Sequence, residues 1–370
     1  MKRICKILII TPLFFNDASG SAVYYKLLAS HLIKMKIKVA VISDKEEGVF
    51  DDISYYHLFP KRSGQNTRRW RDLISYAFQN IQYFKISKII KRERPDTIIV
   101  HTSFYNHLGL FPYIISRYQK KFQEIKWVAD SRDRLTLKGN ITYLNKYKYV
   151  ISCSENISTF LEKNNLPVKK INKLPVLQEN IKRDKVKETA AQLPEDLLEK
   201  KYILYVGSIK KEKNVDLLLN AFILKVKPIF PDYIFVLVGL LKSNDRDMQR
   251  KISHDSVKYL GSLPRVDVLT LMRHAKLCIN ISPNEGMPRS SLEALALKCP
   301  TLLPPNIPEF EKYCPELVVS AADPYLVGEH IVNFLSSKNI PSTYPIHYHY
   351  IHNVLPCYLQ LIMPECCVKA

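Results

Sequence analysis

The chain has 370 residues, 46% of them hydrophobic and 24% charged, with a formal net charge of +20 at pH 7. That composition excludes a disordered chain, and the length favours two globular domains, each able to bury a core. No apolar run reaches the roughly eighteen residues a bilayer-spanning helix needs, and the eight cysteines show no C-x-x-C spacing, which argues against zinc and fits a reducing cytoplasm.

Met1 to Ala22 has the layout of a signal peptide: Lys2 and Arg3, an apolar run from Ile7 to Phe15, then small residues from Ala18 to Ala22. Lys6 and Pro12 break that layout, and the same residues are needed as structure. Lys6 to Thr11 (KILIIT) reads as a buried parallel strand, followed by a turn at Asn16 to Gly20. Val23, Leu27, Leu28, Leu32 and Met35 then recur at helical spacing, and Lys38 to Ser43 makes the next strand, ending at Asp44. The βαβ pattern continues with a helix over Ile81 to Arg94 and strands at Thr97 to His101, Trp127 to Ala129 and Tyr149 to Ser152.

A charged stretch with Pro194, from Glu179 to Lys201, reads as a connector, after which the architecture restarts. Tyr202 to Val206 is a strand ending in Gly207, Val215 to Phe230 a helix, and Tyr233 to Val238 a strand ending in Gly239. Val257 to Leu260, the helix Val266 to Ala275 and the strand Leu277 to Ile281 come next. Two doubly wound α/β domains in tandem result. Ligands in such sheets bind at the carboxyl ends of strands, so a central cleft between facing domains is the expected site.

The charge is uneven: residues 1–180 hold 31 Lys/Arg against 15 Asp/Glu, and the remainder 24 against 20. The basic clusters Lys61-Arg62, Arg68 to Arg71, Lys85 to Arg94 and Lys120-Lys121 suit either an ordinary solvated surface or an anionic membrane surface, and no nucleic-acid-binding motif accompanies them. Near the end, His347, His349 and His352 have a metal-like spacing, but no carboxylate or cysteine completes a site, and the apolar run Val354 to Met363 reads as a packing helix. Cys366 and Cys367 read as incidental tail residues. Asp245-Arg246-Asp247 has the Asp-x-Asp spacing of metal-dependent sugar transferases, but reads as a polar loop after Val238-Gly239.

The segment Ser282 to Phe310 (SPNEGMPRSSLEALALKCPTLLPPNIPEF) carries Glu285 and Glu293 eight positions apart. Pro288, after Glu285-Gly286-Met287, suits the first turn of a helix with Leu292, Leu295 and Ala296 on its buried face. Glu285 then lies in the loop ahead of the helix, and Glu293 one to two turns in. Unpaired amides at such a start face an anion, naturally a diphosphate, and a carboxylate at each end of that anion can accept hydrogen bonds from hydroxyls.

This segment resembles the donor-site signature of the retaining GT-B glycosyltransferases of family 4 (glycosyl transferases group 1). The resemblance extends through Tyr205-Val206-Gly207 to Lys213 and through Lys258-Tyr259-Leu260-Gly261. It implies an α/β GT-B fold: a Rossmann-like acceptor-side domain over 1–180, a Rossmann-like nucleotide-sugar domain over 181–338, and a segment over 339–370 packing back on the first. It implies transfer of a hexose from a nucleotide-sugar donor to a glycan or lipid-linked acceptor with retained configuration, in cell-surface polysaccharide synthesis at the cytoplasmic face of a membrane. By the resemblance Glu285 meets the transferred sugar and Glu293 the ribose. Lys213 neutralises the leaving diphosphate with no metal or other cofactor, and Gly207, Gly286, Met287 and Pro288 line the donor. In the first domain Gly20 matches a glycine loop close to the donor phosphate. Trp127 to Arg134 (WVADSRDR) resembles an Asp-x-Arg-Asp variant that makes Asp133 a catalytic candidate with Arg132 beside it, and Ser154-Glu155 fits a helix cap.

Two departures stand out: Ser208 where the family commonly has arginine, and Lys298 where it usually has glycine. A dehydrogenase would use Gly20 and Asp44, but lacks the further glycines of G-x-G-x-x-G. A GT-B nucleotide-sugar epimerase and a catalytically degenerate binding subunit remain as alternatives.

Overall fold

The computed structural model of this chain describes residues 5–15, 20–44, 50–59, 83–103, 111–132, 141–186, 193–242, 245–320, 323–337 and 342–363. It divides into two units, Met1–Leu177 with Ile351–Ala370, and Gln178–Tyr350. The first returns to its own sheet after the second is complete. Residues 342–350 keep to the second unit, so the return begins at Ile351, later than the position 339 read from sequence. Asp133, Asn16 to Ser19, the basic residues 61–71 and Cys366-Cys367 lie outside the described residues.

In the first unit β1 (Lys6–Ile10), α1 (Gly20–Lys34) and β2 (Lys38–Asp44) form the opening βαβ, followed by β3 (Ile53–Phe59), a helix over residues 83–93 (α2), β4 (Thr97–His101), α3 (Phe111–Lys121), β5 (Lys126–Ser131), β6 (Tyr149–Ser152), α4 (Glu155–Lys163) and β7 (Ile171–Lys173). The sheet is parallel, in the order β3-β2-β1-β4-β5-β6-β7. β1 and β4 are buried along almost their whole length because helices cover both faces, hence their near-continuous apolar runs. Ser154 sits at the N-cap of α4, but its hydroxyl bonds the Asn156 side chain and no helix amide, so the expected side-chain cap is not formed.

The second unit runs β8 (Lys201–Val206), α5 (Val215–Ala221), a π turn (Phe222–Val226), α6 (Lys227–Ile229), β9 (Tyr233–Val238), α7 (Arg246–Ile252), β10 (Val257–Tyr259), α8 (Arg265–His274), β11 (Leu277–Ile279), α9 (Arg289–Ala296), β12 (Thr301–Leu302), α10 (Pro308–Tyr313) and α11 (Pro324–Ser336). Its strands are parallel in the order β10-β9-β8-β11-β12. The stretch expected as a connector belongs to this unit, with Ile181 and Leu197 buried in its core. Asp245 to Asp247 are the start of α7 and no loop: Asp245 Oδ1 accepts the Asp247 amide at 3.0 Å, an N-cap.

The chain ends in α12 (Ile351–Ile362), which buries Ile351, Val354, Tyr358 and Ile362 in the first unit's core. Ahead of it, His349 is buried with its Nε2 2.7 Å from the Tyr344 hydroxyl, so that ring serves packing. Among the described residues no group of three His, Cys, Asp or Glu is arranged to hold a metal, and no helix is long and apolar enough to cross a membrane.

Several described residues adopt backbone conformations that favour glycine; Gly239 is one, and Lys298 is one of seven non-glycine residues among them, with Lys36 and Arg94. Gly239, just past β9, has φ +139°, and a Cβ there would lie 2.0 Å from the Gly207 carbonyl oxygen, so only glycine lets the two strand exits pass. Lys298 has φ +54°. It comes after α9 in a Schellman arrangement: the Cys299 amide donates to Ala294 O at 2.9 Å and the Lys298 amide to Leu295 O at 3.0 Å. The left-handed conformation costs a β-carbon residue roughly 1–2 kcal/mol, against about 0.5–1 kcal/mol of chain entropy for glycine. Lys298→Gly is therefore expected to stabilise the second unit by about 0.5–1 kcal/mol in urea unfolding.

Candidate functional site

In both sheets the strand order reverses beside the first strand, and in the second the reversal falls between β8 and β11. The crevice outside the carboxyl ends of two such strands is where doubly wound sheets hold ligands. The loop after β8 carries Gly207 and Lys213, and the loop after β11 carries Glu285. The 72-residue separation between Lys213 and Glu285 closes there: Lys213 Nζ lies 2.5 Å from Glu285 Oε1, and each side chain is about four-fifths buried (22% and 17% exposed).

Local structure fixes each partner. A 3₁₀ turn over Lys211–Lys213 ends at Asn214, whose φ of +56° turns the chain into α5. Asn214 Nδ2 reaches Ile281 O at 3.5 Å, at the exit of β11. Under the loop Tyr205 is buried and donates its hydroxyl to Ser208 O at 3.1 Å. A Cβ on Gly207 would meet that hydroxyl at 2.9 Å, so the glycine is what lets the phenol support the loop. Burial, and then the nearby Glu285 carboxylate, push the Tyr205 pKa far up, so it remains a donor. Tyr205 is a supporting residue that the sequence alone does not single out. Its strand position marks it as core, and only the third dimension brings its hydroxyl to the loop.

Gly286, Met287 and Pro288 are buried between Glu285 and α9. Pro288 is the N-cap, one position ahead of the expected first turn, and Arg289 opens the helix. The first turn carries no acidic residue, so no carboxylate within it offsets the partial positive charge of that end. Glu293, the fifth helical residue, is not solvated. It is buried, accepts Arg265 Nε at 3.1 Å and lies 3.5 Å from Arg289 Nη2. Arg265, the first residue of α8, also pairs with Glu179. Burial works against the Arg265 charge, but Glu293 and Glu179 outweigh it and hold its pKa above the ordinary arginine value. The i,i+4 pair Arg289–Glu293 is legible in the sequence. Arg265–Glu293, across 28 positions, is not.

Lys213, Glu285, Glu293, Gly207 and Gly286 to Pro288 thus gather at one end of the second sheet. Gly20 belongs to the first unit, where it is exposed and begins α1. Arg132, also in the first unit, pairs its guanidinium with buried Asp130 at 3.1 Å and lies 3.3 Å from the centre of the Tyr24 ring.

Residues 187–313, about a third of the chain, match the family model described as Glycosyl transferases group 1, and this region contains every residue of the second-unit site except Glu179. Solved structures place the whole fold. Sucrose-phosphate synthase from Thermosynechococcus elongatus is similar with a TM-score of 0.72 at 15% identity, covering 96% of this chain and 98% of that one. Anabaena HepE in complex with UDP-glucose gives 0.68 at 14% identity, covering 96% and 95%. Trehalose-6-phosphate synthase OtsA gives 0.63 at 12% identity, covering 98% of each chain. No curated protein sequence matches the chain. The class is therefore a GT-B fold of two Rossmann-like domains. Within its second domain, residues 187–313 are similar to the glycosyl transferases group 1 model.

Proposed function

We propose that this chain is a retaining family 4 glycosyltransferase that moves a hexose from a nucleotide-sugar donor to a glycan or lipid-linked acceptor. The observation that carries the reading is the Lys213–Glu285 pair at the switch point, with the start of α9 directly after it and Glu293 inside that helix. Departure of a nucleoside diphosphate leaves negative charge on the β-phosphate and positive charge at the anomeric carbon, and a catalyst must meet both. Lys213 and the amides opening α9 answer the first, and Glu285 faces the sugar. Glu293, held by two arginines, accepts the ribose hydroxyls. Support for a uridine nucleotide comes from HepE and from the E. coli trehalose-6-phosphate enzyme, whose structures carry UDP-glucose and UDP-2-fluoro glucose.

Because Lys213 supplies the cation, no divalent metal is required on this reading. Retention results if the incoming hydroxyl attacks the face the phosphate leaves, passing its proton to that phosphate. The test is nucleotide release from a panel headed by UDP-glucose, with and without EDTA, together with the anomeric configuration of the product. Free UDP insensitive to EDTA, with a retained product, is the expected result. An inverted product or strong EDTA inhibition overturns the mechanism, and an epimerised nucleotide sugar with no free UDP favours the epimerase alternative.

Glu293→Ala separates binding from turnover. A ribose contact is made equally in ground and transition states, so donor KM should rise with kcat little changed. Loss of one hydrogen bond to a charged group, worth about 1.5–3 kcal/mol, corresponds to roughly ten- to a hundredfold in KM. Steady-state kinetics on the purified variant measure it.

The first unit's exposed cations on α2 and α3, among them Lys88, Arg117 and Lys120, favour a cytoplasmic protein resting on an anionic membrane, where a lipid-linked acceptor of polysaccharide synthesis would be presented. Binding to phosphatidylglycerol vesicles should be evident at low salt and lost at high salt, since Debye screening weakens it. Retention on vesicles in concentrated salt would contradict an electrostatic attachment.

A further inference from the structure

Arg265 is a cation at a place where its own helix disfavours one. It opens α8 directly after Pro264, at the end of the helix that carries partial positive charge. The loop after β10 delivers it to the same end of the sheet as the loops after β8 and β11, and there two carboxylates hold it. Its Nε donates to Glu293 Oε1 at 3.1 Å, and its Nη1 donates to Glu179 Oε2. Glu179 comes from 86 positions earlier in the chain. Its place is set by the pairing of the preceding Gln178 with Tyr350, where the Gln178 amide donates to His349 O at 2.8 Å. Glu179, Arg265 and Glu293 all belong to the second unit.

A structural ion-pair network is the plain explanation, and its completeness decides how far it holds. A guanidinium and a carboxylate that serve packing alone favour two nitrogens on two oxygens, and buried polar networks leave few atoms unused. Here only one oxygen of Glu293 is engaged. Arg265 donates to Oε1, and Arg289 Nη2 lies 3.5 Å from that same oxygen, too far for a good hydrogen bond. Glu293 Oε2 has no partner among the described residues, although the residue is buried, with one-tenth of its side chain exposed. Arg265 Nη2 is itself buried without a hydrogen-bond partner. The guanidinium therefore divides its fork between two carboxylates. That division fixes Glu293 by one oxygen, with Glu179 as the anchor, and leaves the other oxygen for a donor from outside the protein.

We infer that Arg265 is a positioning residue for the donor nucleotide: anchored by Glu179, it holds Glu293 by Oε1 so that Oε2 is presented to the ribose hydroxyls. The inference rests on the donor reading above and adds to it the two residues that set the orientation of the carboxylate. A carboxylate oriented in advance loses little rotamer freedom when the ribose arrives, so the contribution of Arg265 is to affinity. Glu179 keeps the guanidinium from following the more strongly charged diphosphate and leaving Glu293. Oε2 can only accept, so a ribose diol is recognised there and a ring without those hydroxyls is not.

The test titrates UDP, GDP and ADP calorimetrically into the full chain, each beside its 2′,3′-dideoxy form, and repeats the titrations with Arg265→Met, Arg265→Lys and Glu179→Gln. The wild-type chain binds at least one of these diphosphates, and Arg265→Met weakens that binding about tenfold or more, the size of losing a well-placed hydrogen bond to a charged group. The dideoxy form, with no hydroxyl for Glu293, loses little from the same substitution. Arg265→Lys recovers part of the affinity, because it keeps the charge but not the fork. Glu179→Gln weakens the ribose form in the same direction, and adds nothing once Arg265 is already methionine. Equal losses toward the ribose and dideoxy forms, as a damaged fold would give, overturn the positioning role, and so does unchanged affinity in Arg265→Met. In both of those cases the wild-type binding leaves the donor reading in place. No binding of any of the diphosphates by the wild-type chain overturns the donor reading, and the positioning role with it.

Discussion

Lys213→Ala is expected to lower kcat by about 10²–10³, the range for loss of one preorganised group facing charge that develops in the transition state, or about 2.7–4 kcal/mol. The geometry makes the effect specific. In the free protein Lys213 and Glu285 neutralise one another at 2.5 Å in a site where both are mostly shielded from water. On the proposed mechanism a donor diphosphate would bring a larger negative charge to the same ammonium, so that Lys213 would exchange a carboxylate for a phosphate and Glu285 would turn to the sugar hydroxyls. Removing the lysine therefore leaves a mostly buried carboxylate without this cation as well as a leaving group without its partner. Glu285→Ala should also lower turnover, and because the two act on one breaking bond their effects should not add: the double variant is expected to lie near the worse single one. Lys213→Arg separates charge from geometry, since it keeps the cation and should recover part of the rate. Single-turnover and steady-state kinetics on the four variants measure this. Near-wild-type kcat in both Lys213→Ala and Glu285→Ala would remove the central step of the proposed mechanism.

The repeated strand–helix pattern was legible because parallel strands buried on both faces read as short apolar runs, as in Lys6–Ile10 and Tyr233–Val238. Elements with weaker signatures escaped. β7 is three residues, none of them buried, and β12 only two, so neither offers a run to read. α3 buries Phe111, Ile114, Ile115 and Tyr118, but Ser116 and Gln119 share that face and Pro112 stands in its first turn, which blurs the helical pattern. At the site, the residues close in sequence were visible: Glu285, the turn through Pro288, and Glu293 on a short helix. Their partners were not. Nothing about Arg265 or Tyr205 distinguishes them until β8, α8 and β11 are folded side by side. Arg132, a candidate through the resemblance of WVADSRDR to an Asp-x-Arg-Asp variant, pairs with Asp130 and lies over Tyr24, partners that the sequence did not show. One departure from the family pattern gained meaning only in three dimensions: Lys298 proved to hold a left-handed backbone.

Asp130→Ala is expected to destabilise the first unit by about 3–5 kcal/mol, the cost of removing one partner of a buried ion pair and stranding the other. Asp130 is fully buried at the end of β5. Arg132 Nε lies 3.1 Å from its Oδ1, and its Oδ2 accepts Arg132 Nη2 at 3.1 Å and the Tyr25 hydroxyl at 2.9 Å. Arg132 in turn lies over the Tyr24 ring and donates to the Tyr358 hydroxyl at 3.0 Å, and Tyr24 and Tyr358 are themselves hydrogen-bonded. The network therefore ties α1, β5 and α12 together. Burial opposes the Arg132 charge, yet Asp130 and the surrounding tyrosine hydroxyls hold its pKa above the ordinary value, so arginine cannot escape the loss by shedding its proton. In the alanine variant the guanidinium must either remain buried beside an empty space or drag Tyr24 and Tyr358 outward to reach water. The second route would loosen α12 first, because Tyr358 is its central buried residue. Asp130→Asn keeps the hydrogen bonds and loses the charge, so it should cost distinctly less than alanine. With two units in the chain unfolding is not two-state, and the measurement must follow the first unit alone. Hydrogen exchange of the α12 and β5 amides under native conditions does so, with faster exchange in α12 preceding β5 as the expected order. Protection in both elements unchanged by Asp130→Ala would show that the core around α1 and α12 holds without this charge.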